Sequence, residues 1–190
     1  MGYLTSNRTE PCKDDIGGVK EMYLAKFQPY NRNRIILNED KTELLTFPDT
    51  LVRLAVLRPD GNTYNESYTG EHWNQTVKAV LPKQDLETTR KMEVILNTEF
   101  RIILRMNNGI LKIFGLENGM VAENMTIDNG GARSSLNGYT FSLNGMERIK
   151  APFLESLESV GFEVGEGEDS YDFQDDSEYT FQDNVIYDFQ

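Results

Sequence analysis

The chain has 190 residues, 38% of them apolar, and a formal net charge of −12. That length suits one domain with an appendage, and the low apolar fraction implies that part of the chain lies outside a packed core. Its one cysteine, Cys12, excludes an intramolecular disulfide and a cysteine zinc cage, and no apolar run reaches the ~18 residues that a membrane-spanning helix needs.

Residues 1–15 are polar and read as a flexible N-terminal arm, with Cys12 a passive thiol. The opening Met1-Gly2-Tyr3-Leu4-Thr5-Ser6 lacks the apolar stretch of a secretory signal. It fits the loose N-myristoylation pattern, a short one that needs a eukaryotic host enzyme. Without a secretory route, the four Asn-x-Ser/Thr sequons at Asn7, Asn65, Asn74 and Asn124 carry little weight as glycosylation sites.

From Ile16 to Phe27 the pattern alternates, with Val19, Glu21, Tyr23 and Ala25 on one face and Lys20, Met22, Leu24 and Lys26 on the other. Both faces hold apolar members, which predicts a strand covered in part on two sides. A polar Asn-Arg-Asn-Arg connection follows, then two short strands around the Asn-Glu-Asp-Lys turn, then a strand at Leu51–Leu57 and a turn at Arg58–Asn62. Two more strands are expected in "TYNESYTG" and "NQTVKAVLP", with His72, beside Trp73, read as a histidine packed against a strand residue.

Lys83–Asn97 is the one helix candidate, because Leu86, Met92, Ile95 and Leu96 fall within about half of the helical wheel. Asp85 and Glu87 suit its positive end, and Asn97 its stop. Glu99–Met106, Asn107-Asn108-Gly109 and Ile110–Leu116 form the clearest hairpin, since Asn-Gly accommodates positive φ without steric cost. Strands follow in "MVAENMTID" and "NGYTFSLNG", where Tyr139, Phe141 and Leu143 share one face. Many short strands between turn signals, with one helix, predict a mainly β fold, an antiparallel sandwich or barrel over residues 16–150.

Residues 151–190 hold twelve of the 31 acids and none of the 19 bases, so residues 1–150 carry 19 of each and are neutral. This part reads as an acidic linker and tail. It ends on three units eight residues apart: Tyr171-Asp172-Phe173-Gln174, Tyr179-Thr180-Phe181-Gln182 and Tyr187-Asp188-Phe189-Gln190. In an extended chain, the Tyr and Phe of each unit point the same way. Tyr171, Phe173, Gln174, Tyr179, Phe181, Gln182, Tyr187, Phe189 and Gln190 are the expected partner-binding residues of a multivalent linear motif. The plainer alternative is a solubilising tail. Its charge repels nucleic acid and anionic lipid, and suits a basic protein surface or a wall along which DNA slides without sticking.

No phosphate loop, serine-nucleophile elbow, zinc-protease motif or Cys/His metal spacing is present, and the acids of the tail have no expected core to raise a pKa. The expectation is therefore no enzyme, no metal and no cofactor. The first place to seek a contrary site is around Tyr68, Glu71 and His72.

Two stretches resemble a known family. They are "CKDDIGGVKEMYLAKF", and the run from "LNTEFRIILRMNNGILKIFGLENGM" to "GGARSSLNGYTFSLNGMERIKAPF". Their order resembles the tail-tube-like virion structural proteins of tailed phages and prophages of Bacteroidetes, crAss-like phages among them. The resemblance spans about residues 12–153. It implies a sandwich or rolled sheet with a flanking helix, in subunits that form a six-fold or twelve-fold ring around a DNA channel. It further implies a place in the tail or neck of the virion, contacts with other tail or portal-side proteins, passage of DNA without specific binding, and no membrane. Singly, Gly115, Gly119, Gly130, Gly131 and Gly138 read as turn glycines, and the tail repeats are not part of the resemblance. Two alternatives stand beside it: a β-domain adaptor that displays the acidic tail, and a small carboxylate hydrolase.

Overall fold

The computed structural model describes residues 17–28, 30–47, 51–57, 61–131 and 135–163, with backbone alone at 51–56 and 163. The N-terminal arm and the Tyr-x-Phe-Gln units lie outside the described residues. The chain is mainly β, with the elements β1 (Val19–Lys26), β2 (Ile36–Leu37), β3 (Leu44–Thr46), β4 (Leu51–Leu57), β5 (Thr63–Tyr68), β6 (Trp73–Pro82), α1 (Leu86–Leu96), β7 (Phe100–Met106), β8 (Leu111–Phe114), β9 (Val121–Asp128), β10 (Gly138–Glu147), β11 (Phe153–Leu154) and β12 (Phe162–Glu163).

Six strands form one sheet in the order β11-β8-β7-β1-β4-β12, and four form a second in the order β5-β6-β10-β9. Every pairing in the second sheet is antiparallel; in the first, only β12 joins β4 in parallel. The two sheets face each other. Met22, Leu24, Ile102, Leu104 and Phe114 of the first meet Val77, Ala79, Leu81, Tyr139, Phe141 and Leu143 of the second in one core. The opposite face of the first sheet, with Tyr23, Ala25, Ile103 and Ile113, packs under Leu44, Phe47, Leu154, Leu157, Val160 and Phe162 in another. The two-sided alternation of β1 thus corresponds to a strand buried on both faces.

This second core shifts one boundary. Ala151, Leu154, Leu157, Val160 and Phe162 are all buried, so the segment read as a linker from Ala151 is packed to the end of the described chain. Its short apolar positions fill gaps over a sheet instead of repeating with a strand or helix period, which is why no pattern announced them.

The helix starts where Asp85 caps it, accepting from Thr88 N at 2.7 Å and Thr88 Oγ1 at 2.7 Å. Those two bonds to Thr88 hold the Asp85 carboxyl below its ordinary range. The buried Tyr139 hydroxyl reaches Thr89 Oγ1 at 2.6 Å and donates to Asp85 O at 3.1 Å, fastening the helix start to β10. Met92 and Ile95 enter the core as the wheel implies, but Leu86 is 69% exposed and Leu96 47% exposed. Only Met92 and Ile95 of α1 are buried, so the buried stripe is narrower than the apolar arc.

The turn Gly115-Leu116-Glu117-Asn118-Gly119 joins the two sheets, with Gly115 at φ +65° and Gly119 at φ +78°. A Cβ on Gly119 would stand 2.9 Å from the Phe27 ring, whereas Gly109, at φ +85°, has nothing within 4 Å of that position. Gly119→Ala is expected to lose about 2–3 kcal/mol, and Gly109→Ala about 1 kcal/mol from backbone strain alone. Urea midpoints of the two variants check this. Equal losses would mean that the Phe27 ring gives way freely.

Candidate polar face and buried carboxylate cluster

In the four-stranded sheet, residues paired across strands share a side. Tyr64, Val77, Phe141, Leu143 and Met125 stand on the core side of their ladders. The alternate positions form the outer face: Thr63, Asn65 and Ser67 on β5; Asn74, Thr76, Lys78 and Val80 on β6; Thr140, Ser142, Asn144 and Met146 on β10; Val121, Asn124, Thr126 and Asp128 on β9. The register slips between Ser142 and Leu143, leaving Glu123 as an extra residue whose carboxylate accepts from Asn144 Nδ2. Apart from Lys78, Glu123 and Asp128 this face is uncharged, mostly amides and hydroxyls with Val80, Val121 and Met146 among them.

Three of the four sequons lie on it. Asn65/Ser67, Asn74/Thr76 and Asn124/Thr126 are each two successive outer positions of one strand. Here an Asn-x-Ser/Thr triple is what a period-two polar face looks like in sequence. Asn7 lies outside the described residues. No aromatic ring stands on this face: Tyr64, Tyr68, Trp73, Tyr139 and Phe141 all take the opposite phase.

At one end of the face a cleft of about 670 Å³ opens between Ser67, Asn74, Thr76, Asn144 and Met146 on one side and Asn118, Gly119 and Val121 on the other. Behind its Asn118–Gly119 wall lies a buried ionic cluster. Glu147 is 1% exposed, and its carboxylate accepts from Glu117 N at 3.1 Å and Asn118 N at 2.9 Å. Burial pushes its carboxyl up to about 7, aided by the Glu117 carboxylate and opposed by those two backbone donors and by Arg32. Glu117 is held from outside by Arg148, through Nε at 2.7 Å and Nη2 at 2.5 Å. Arg32 donates to Asn118 Oδ1 at 2.5 Å.

Arg101 closes the cluster from below. Its guanidinium lies 4.2 Å from the Phe27 ring centre, 4.6 Å from that of Tyr30 and 4.8 Å from that of Phe47. It donates from Nε to Leu116 O at 3.0 Å and from Nη2 to Gln28 O at 3.1 Å. The Tyr30 hydroxyl is pushed up to about 12 by burial and by the carboxylates of Glu117 and Glu147.

The carboxylates of this cluster face backbone amides and a guanidinium. Tyr68, Glu71 and His72 sit at the β5–β6 turn, where the Tyr68 hydroxyl donates to Gly70 O at 2.6 Å. Among the described residues, no group of three or more His, Cys, Asp or Glu is placed to hold a metal ion. Among the described residues, no helix is long and apolar enough to cross a membrane. Glu147 and Arg101 were not singled out in the sequence, although Glu147 falls in the phase of Tyr139, Phe141 and Leu143, which marks it for burial.

No protein-family profile matches the chain, and neither a curated protein nor a solved structure is found similar to it.

Proposed function

We propose that the chain is a ring-forming structural subunit of a phage tail or neck, with the four-stranded sheet lining the channel and the C-terminal units binding neighbouring subunits or another virion protein. One observation carries this reading. The outer face of the β5-β6-β10-β9 sheet is nearly uncharged, and among the described residues no strand pairs with either of its edges. A wall that lets DNA pass must offer it no lattice of cations, since phosphate contacts dominate nucleic-acid affinity.

The strand count supports ring closure. Four antiparallel strands end with β5 and β9 running in opposite directions. A copy rotated about an axis along the strands therefore sets its β5 antiparallel to the first copy's β9, and the alternation continues around the ring. Ile127, 55% exposed, and Tyr68, 59% exposed, take the core-facing phase of these two edges and lack only a neighbouring strand to cover them. At ~4.8 Å per strand, six copies make a wall about 37 Å across, and about 27 Å between side chains. Twelve copies leave about 60 Å, too wide to guide one duplex, so the six-fold ring is preferred.

Mass measurement and electron microscopy of the purified chain test this. The expected result is a ring whose mass is a six-fold multiple of 21.8 kDa. Ile127→Lys should reduce ring formation at least tenfold while leaving the circular dichroism unchanged, because it sets a charge on a pairing edge. A chain that stays at 21.8 kDa at every concentration would sink the ring reading. Removing residues 170–190 should leave the body folded and weaken association with other subunits. Unchanged association would return those units to a solubilising role and favour the plainer reading of the tail.

A further inference from the structure

We infer that the Gly115–Gly119 turn is a proton-linked gate, closed over a protonated Glu147 and released when that carboxyl ionises. The geometry has three parts. The carboxyl is 1% exposed and its hydrogen-bond partners are the turn's own backbone, Glu117 N and Asn118 N. Among the described residues no cation donates a hydrogen bond to it. The cover is a single turn, since Asn118 is exposed and the Arg148 side chain that brackets Glu117 is 65% exposed.

The charged groups around Glu147 come from every side. Glu117 stands in the turn, Arg148 follows on the same strand, and Arg32 reaches Asn118 from the 32–34 turn. Tyr30 and Arg101 lie beneath. The cations are committed elsewhere: Arg148 to Glu117, Arg32 to Asn118, and Arg101 to Leu116 O and Gln28 O. An ionised Glu147 thus has two backbone amides and a neighbouring carboxylate, where water would supply a full hydration shell. Lifting the turn hydrates it.

Opening is therefore coupled to proton release, and by linkage a higher pH favours the open turn. Burial of this carboxyl supports the same direction. Because Asn118 and Gly119 also form one wall of the cleft on the polar face, opening widens that cleft. The gate belongs to one subunit and stands whether or not rings form.

Hydrogen exchange of the full chain from pH 5 to pH 8, corrected for the intrinsic rate of each amide, is the test. The opening constants of Glu117 and Asn118 should rise at least tenfold over this range and stay well above those of β7, whose core amides open only with the whole body. In Glu147→Gln, which cannot ionise, the rise should vanish. An Arg148→Gln variant, which frees Glu117 but leaves Glu147 titratable, should keep it. A rise of equal size in Glu147→Gln, or no rise in the native chain, overturns the gate.

Discussion

Replacing Arg101 by methionine is expected to remove about 3–5 kcal/mol of stability, the largest loss from any single change at the polar cluster. Methionine keeps most of the stem's volume, so the loss is not mainly a cavity. It comes from Leu116 O and Gln28 O, which lose their donors inside the protein, and from three aromatic rings that lose the cation stacked between them. Lysine should not restore it, because a point charge cannot serve two divergent carbonyls while lying flat between rings. Urea midpoints of Arg101→Met and Arg101→Lys settle the matter. A loss below about 1 kcal/mol would mean that water replaces the guanidinium, and that the stack contributes little.

Stability should also fall as pH rises through weakly acidic values, and Glu147 should be the cause. Its folded carboxyl is raised from 4.5 to about 7. Between those values the folded state holds a proton that the unfolded chain has released, so rising pH favours unfolding. The whole effect is present above pH 7 and absent below about pH 4.5. At ~1.4 kcal/mol per pH unit it amounts to about 3 kcal/mol. Glu147→Gln removes the titration and can still accept both backbone amides through one oxygen. It should exceed the native chain by about 1–3 kcal/mol at pH 8 and lose that advantage at pH 5. Repulsion within the acidic tail changes with pH equally in both chains, so the difference between them isolates the buried group. A variant less stable than the native chain at both pH values would show that ionised Glu147 is a net support of the turn.

Much of this fold was readable because its strands obey period two. Val19–Lys26 showed two apolar phases, and the structure buries both. The Asn107-Asn108-Gly109 hairpin rests on local chemistry and lies where that chemistry put it, and Asp85, expected at the positive end of the helix, stands there as its cap. The packed segment after Ala151 was not readable, since its buried residues answer to the surface of another sheet instead of to their own neighbours. Leu86 was misread for the same reason: the helix meets the core only through Met92 and Ile95, a narrower stripe than its apolar arc.

The polar face was present in the sequence in another guise. Asn65, Asn74 and Asn124 stood out only as Asn-x-Ser/Thr triples of little weight, while their shared phase, two residues to a Ser or Thr, was the signature of an outward ladder. Arg101 was the harder case. It alternates with Ile103 and Arg105 on a face covered by Tyr30, Phe47, the Ile36–Thr46 hairpin and the last packed residues, and nothing near Arg101 in sequence announces that roof.

The parallel addition of β12 to β4 sets the order in which a ribosome can release this molecule. The first strand made, β1, waits for β7 and β4, and the sheet edge beside β4 is closed only by Phe162–Glu163, near the end of the packed chain. Until then the body cannot be finished, while the two free edges of the other sheet already stand ready to catch a neighbouring nascent chain. What emerges next from the tunnel is the stretch that carries acids and no bases. The tail's negative charge thus arrives after those edges have formed, and it keeps finished copies apart until their concentration, or added salt, overcomes the repulsion.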